Sequence, residues 1–176
     1  GYTSKIVSVS FLRGLGLKDI GRYEQIKEVN WVPGCAMLIK REVINKVGVF
    51  DDNFYMYFDE MDYCLRAINE GFKCFYIPKA KCWHKVAGST DDSKVSFLNF
   101  YKKTPFRSYY VTRNKIYLLD KHGNIIDKLL FLPFFVFMFP FELLKNVLTL
   151  NLPNNTALLR AVSDRFRNKM GKSRYY

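Results

Sequence analysis

The sequence predicts an α/β layer fold. Strand, helix and strand signals follow one another between residues 35 and 84, the helix is apolar on one face, and glycines stand where elements must end. A length of 176 residues suffices for one domain with a real core and is short for two. With 49% hydrophobic and 17% aromatic residues the chain is not disordered.

Residues 1–29 are mixed and Gly-rich, with scattered Lys and Arg, and read as a long ordered loop. Val29 to Gly34 is a short extended piece closed by a Pro-Gly turn. Cys35-Ala36-Met37-Leu38-Ile39 is an uninterrupted apolar run, the pattern of a strand buried on both faces. Arg41 to Val47 reads as a short helix stopped by Gly48. After the aromatic run Phe54 to Phe58, a second helix starts at Asp59. Met61, Cys64, Leu65 and Ile68 recur in it at helical spacing, and Gly71 stands at the left-handed cap position.

Lys73 to Ile77 is expected as a strand closed by Pro78, and Ala80 to His84 as another. The polar composition of 85–104 suits a mobile loop beside a site. Tyr109 to Asp120 is expected to be helical. Residues 129–141 carry no charge but are too few to cross a bilayer, which needs about 20, and Pro133 and Pro140 interrupt them. Such a segment suits a buried hairpin or a membrane interface. From Arg160 onward, Arg165, Arg167, Lys169, Lys172 and Arg174 face only Asp164, a basic tail.

The net charge of +12 favours an anionic partner. No nucleic-acid-binding motif appears and much of the excess lies in the tail, so an anionic membrane surface is expected and a nucleic acid is not. Cys35, Cys64, Cys74 and Cys82 form no Cys-x-x-Cys pair and read as small buried hydrophobes in a reducing compartment. A zinc site from Cys74, Cys82 and His84 fits no common spacing. No signal peptide opens the chain and no Met begins it, which leads us to expect a trimmed or partial chain.

Asp59, Glu60 and Asp62 concentrate the chemistry. Acids on a first helical turn complement the dipole and cap free N–H groups. The other reading is a general base, its pKa raised by burial against Tyr55, Tyr57 and Phe58 and by neighbouring carboxylates. His84, one of two histidines, is either a packed residue or a metal ligand that needs carboxylate or phosphate oxygens beside it. Arg66 reads as an i, i+4 partner of Asp62 or as a phosphate anchor. Arg113 and Asn114 read as supports of the site or as phosphate contacts.

Trp31 to Arg41, Val47 to Asp51 and Phe54 to Arg66, followed by Gly71-Phe72, Ile77-Pro78, His84, Ser89, Tyr109-Tyr110 and Arg113-Asn114, resemble in fixed order the second half of family-2 glycosyltransferases, above all the bacterial rhamnosyltransferase-like branch. The resemblance covers roughly residues 25–120. It implies a partial GT-A fold over 1–120 that lacks its N-terminal nucleotide-binding half, followed over 121–176 by an apolar helical hairpin and basic tail. It also implies inverting transfer from a nucleotide sugar to an acceptor hydroxyl, in cell-surface polysaccharide or glycan synthesis.

By the same resemblance Glu60 is the base, Asp59 supports it, and Asp62 orders the helix or contacts the acceptor. Trp31, Gly34, Tyr57, Arg66 and Arg113 are implied substrate contacts, and His84 a ligand of Mg²⁺ or Mn²⁺. The family's Asp-x-Asp metal motif is absent from this sequence. The chain alone is therefore expected to be inactive, its remaining metal ligands belonging to the missing half. The acceptor is expected to be a glycan or lipid-linked, and the location cytoplasmic, peripheral at the inner face of the cell membrane. The alternative is an inactive remnant acting as a membrane-surface or partner-binding module.

Overall fold

A computed structural model of the protein describes residues 2–3, 10–11, 14, 17–83 and 104–176. The described part is helix-rich with small antiparallel strand pairs. β1 (Tyr2–Thr3) pairs with β2 (Ser10–Phe11), and β3 (Lys27–Val29) pairs with β4 (Cys74–Tyr76) in the register Val29 to Cys74. Between β3 and β4 lie a 3-10 turn (Gly34–Ala36), α1 (Arg41–Val47) and α2 (Asp59–Asn69). Three further helices complete the chain: α3 (Pro105–His122), α4 (Ile125–Leu148) and α5 (Leu152–Phe166).

Local signals account for most of these boundaries. Gly48 and Gly71 take φ of 83° and 86°, the left-handed region that ends α1 and α2 where the sequence places them. Thr104 caps α3 by accepting from the Arg107 N–H, and Pro105 stands at its first position. Asn124 and Asp127 form a reciprocal capping box on α4, both bonds 2.9 Å. In the tight α3–α4 turn, a Cβ on Gly123 would collide with the Leu119 carbonyl oxygen, so only glycine fits there.

Two apolar clusters meet on α3. Trp31, Phe54, Met61, Cys64 and Leu118 form one, joining α2 to α3. Tyr109, Tyr110, Ala157 and Ala161 form the other, where the small residues of α5 let it approach α3 closely. α3 packs far more extensively on α5 than on any other helix. The C-terminal segment docks as well: Gly171 N–H donates to the Asn53 carbonyl at 2.9 Å, and Ser173 N–H to the Tyr110 hydroxyl at 2.8 Å. The expected basic tail is thus partly folded, with Arg165 paired to Asp120.

Several expectations are corrected. Residues 35–39 form no strand: a 3-10 turn covers Gly34–Ala36, and Leu38 is 97% exposed. A strand buried on both faces needs flanking strands, and the described residues supply none beside this run. Residues 80–83 form no strand either, and Trp83 is 86% exposed. His84 and residues 85–103 of the expected loop lie outside the described residues. Cys35 and Cys82 are exposed, not buried, and only Cys64 is fully enclosed.

Pro133 and Pro140 do not interrupt the apolar segment. They lie seven residues apart on α4, both exposed, and the helix runs through them. Phe131, Phe135 and Phe139 line the half-buried side of α4, while Leu129, Val136, Phe137, Phe141, Leu144 and Leu148 stay exposed, Phe137 and Leu148 at 75%. No helix among the described residues is long and apolar enough to cross a membrane.

Leu118, 1% exposed in the cluster that joins α2 to α3, provides a direct check of this packing. Leu118→Ala is expected to lower unfolding free energy by about 2–5 kcal/mol in chemical denaturation.

Candidate active site

The acidic corner is built on an aromatic loop of unusual backbone. Tyr55, Tyr57 and Phe58 have φ of 61°, 66° and 69°. For side chains with a Cβ this left-handed conformation costs roughly 1–2 kcal/mol per residue, so it must be held from outside. Asn114 does so: its carboxamide nitrogen donates to the carbonyls of Phe54 (2.8 Å), Met56 (2.7 Å) and Tyr57 (3.1 Å). Arg113 donates to the carbonyls of Asn53 and Phe54, both at 3.2 Å, and to that of Gly171 at 2.8 Å. Phe58 then caps α2 without a side-chain bond, and Asp59 and Glu60 are the first two helical residues.

The three acids of the first turn have separate environments. Asp62 is fully buried and accepts from Arg66 Nε at 2.9 Å, while Lys121 Nζ and His122 Nε2 each approach it at 2.8 Å. Burial alone would raise its pKa. The bonds from His122, Lys121 and Arg66 outweigh burial and hold the carboxyl at about 2.

Glu60 has no such partners. Burial, reinforced by the Asp59 carboxylate and only partly opposed by a backbone N–H, pushes it up to about 7. The exposed backbone of Gly34 runs beside it, where a Cβ would stand 3.6 Å from the Glu60 Cβ. Tyr57 is half-buried, with the Arg107 guanidinium 5.6 Å above its ring.

Glu60, Asp59 and Gly34 therefore share one corner of the surface, while the Tyr57 ring packs against the Tyr109–Tyr110 cluster between α3 and α5. Among the described residues, the expected site residues Trp31, Arg66 and Arg113 are engaged elsewhere. Trp31 is 7% exposed inside the α2–α3 core. Arg66 spends its donors on Asp62 and on the Val47 and Val49 carbonyls, each at 2.9 Å. Arg113 is 1% exposed, with its donors on backbone carbonyls and on Asn114. In this structure Trp31 packs in the core, and Arg66 and Arg113 support backbone carbonyls around the loop. Asp62 likewise orders α2 and is closed to an acceptor.

Sequence reasoning missed Lys121 and His122, whose signal was a basic last turn just before Gly123. Two hollows, of about 310 and 210 Å³, are lined by other residues than Glu60. Among the described residues no three metal-ligating side chains come together, so these residues by themselves do not fit a divalent ion; His84 lies outside them.

An acid of raised pKa at a surface corner, beside a second carboxylate, is an arrangement that group-transfer enzymes use to take a proton from a hydroxyl. Comparison with known proteins points to one class, the sugar transferases. The chain is 29% identical over 98 residues to an N-acetylglucosaminyl-diphospho-decaprenol L-rhamnosyltransferase of Mycobacterium tuberculosis, covering 56% of this chain and 29% of that protein. It is 30% identical over 85 residues to the dTDP-rhamnosyl transferase RfbF of Shigella flexneri, 48% of this chain and 28% of that one. It is 27% identical over 113 residues to the rhamnosyltransferase WbbL of Escherichia coli K12, 61% of this chain and 41% of that one. The match thus spans well under half of each relative's length. No family model matches the chain, and no solved structure matches it.

The two shifted acids give opposite pH signatures. Asp62, depressed when folded, contributes stability that is present above its ordinary value of 3.8 and lost as pH falls toward about 2. Glu60, raised when folded, contributes stability that is present below 4.5 and lost as pH rises through about 7. Glu60→Gln is therefore expected to be more stable than wild type at pH 8, by roughly 1–3 kcal/mol, with the difference vanishing near pH 4. Denaturant melts across that range check it.

Proposed function

We propose that this chain is part of a glycosyltransferase that moves a sugar from a nucleotide-sugar donor to an acceptor hydroxyl with inversion, in cell-surface polysaccharide or glycan synthesis. The observation that carries the reading is Glu60: a carboxyl raised to about 7, beside the Asp59 carboxylate and next to the exposed backbone of Gly34. A base works best with a pKa near the working pH.

In this reading Glu60 takes the proton of the acceptor hydroxyl as the oxygen attacks the anomeric carbon, and the bond to the nucleoside diphosphate breaks on the opposite face. Asp59 keeps the proton affinity of Glu60 high by its charge. Asp62 takes no part in proton transfer and anchors the turn. Gly34 and Tyr57 are the proposed substrate contacts. Mg²⁺ or Mn²⁺ would neutralise charge on the departing diphosphate, with ligands from outside the described residues, His84 among them.

Activated rhamnose is the first donor to assay, because the three relatives above carry that sugar in their names. A lipid-linked acceptor is proposed on the same footing, since one relative is named for a diphospho-decaprenol. In a form of the protein that carries a nucleotide-binding half, Glu60→Gln is expected to lose transfer by 10²–10⁴-fold or about that while keeping nucleotide binding. Activity within a factor of about ten of wild type would pass the base role to another group. The 176-residue chain alone is expected to show no transfer.

The apolar outer side of α4, with Lys128 and Lys145 near its ends and the charge of +12 behind it, supports an anionic lipid surface as partner. The proposed location is cytoplasmic, peripheral at the inner face of the cell membrane. The same face supports the second reading, an inactive remnant that binds membrane. Vesicles containing phosphatidylglycerol are expected to float the wild-type chain and to leave Phe137→Glu/Phe141→Glu in the pellet fraction. Residual transfer by the form carrying a nucleotide-binding half separates enzyme from remnant.

A further inference from the structure

The left-handed run at Tyr55, Tyr57 and Phe58 contains no glycine. Strained backbone of this kind persists only where its surroundings over-determine it. Here two neighbouring side chains of α3 hold the loop, Arg113 at the carbonyls of Asn53 and Phe54 and Asn114 through its later part. Asn114 is fully buried, and its single carboxamide nitrogen serves three carbonyls, those of Phe54, Met56 and Tyr57, at 2.7 to 3.1 Å. Its oxygen accepts from Arg113 Nε at 3.0 Å, which fixes the direction of the amide. The flipped amide would set an oxygen against three carbonyl oxygens and a nitrogen against a guanidinium. The last of the three carbonyls belongs to Tyr57, one residue before the cap of α2 and three before Glu60.

We propose that Asn114 is a positioning residue for the Glu60 base: its carboxamide, oriented by Arg113, fixes the left-handed loop that leads into α2 and sets Glu60 beside Gly34. The proposal rests on the reading of Glu60 as the base. Asn114 touches no reacting atom. It acts through the backbone of residues 54–57, and the side chain it needs is a neutral one with two hydrogens on one nitrogen and an acceptor on the other arm. Asp62 is held separately by Arg66, Lys121 and His122, so it serves as an internal control for general loosening.

The test is a carboxyl ¹³C NMR titration of the 176-residue chain, wild type against Asn114→Ala. Asn114→Ser, which keeps one donor, stands in if the alanine variant does not fold. With helical circular dichroism unchanged, the Glu60 midpoint is expected to fall from about 7 by about one unit or more, while Asp62 stays ionised through the same range. An unmoved Glu60 midpoint in a folded variant overturns the proposal, and so do Glu60 and Asp62 shifting together. In a form carrying a nucleotide-binding half, Asn114→Ala is expected to lower kcat about 10–100-fold at unchanged donor KM. Should Glu60→Gln keep its activity in that form, the base reading fails, whereas the titration still reports on the loop.

Discussion

A single buried carboxylate fastens the two central helices. Asp62 lies one turn into α2, with no exposure, and Lys121 and His122 at the end of α3 close on it together with Arg66 from its own helix. A charge taken out of water is costly unless paired, and a buried pair that loses one partner typically destabilises by about 3–5 kcal/mol. Lys121 also reaches Asp51 at 2.8 Å, where the Tyr117 hydroxyl donates as well. The start of the aromatic loop and the first turn of α2 are therefore pinned to the same end of α3. The apolar contact of Leu118 with Phe54 and Met61 fills the space beneath.

With that seam in place, neighbouring acids on one turn acquire opposite characters. Asp62 is surrounded by cations and stays charged; Glu60, two residues earlier, is buried with another carboxylate and holds its proton into the neutral range. The difference does not arise from helix position, since both sit in the same first turn and feel the same dipole. It arises from what α3 brings to one and withholds from the other. One turn thus carries an acid tied into the structure and an acid of raised pKa.

What the sequence disclosed followed the range of the forces involved. α1, α2 and their glycine ends depend on contacts within a few residues, and the Asp62–Arg66 pair spans four, so all were legible. The 35–39 run was not, because an apolar stretch becomes a strand only if other strands flank it, which is a property of distant residues. The course of α4 through its prolines was hidden as well: propensity argues for a break at Pro133 and Pro140, yet the helix runs unbroken through both. Within the site, the identity of the acids was legible and their roles were not. Lys121, His122 and Asn114 lie more than fifty residues from the loop they govern, so local signals could mark them as polar or basic helix positions but not name their partners. Arg113 and Asn114 stood out as polar residues in a helix, yet whether they face substrate or backbone depends on where the loop runs.

The prolines of α4 carry a further meaning. Each lacks an N–H, so the carbonyls of Leu129 and Val136 lose the donor four residues on. Two polar points are thereby set into an otherwise oily flank. On a lipid layer such oxygens must stay within reach of water or of headgroup donors, because hydrocarbon offers them nothing. Were α4 to lie on a lipid layer, as proposed above, these two carbonyls would favour a half-submerged helix.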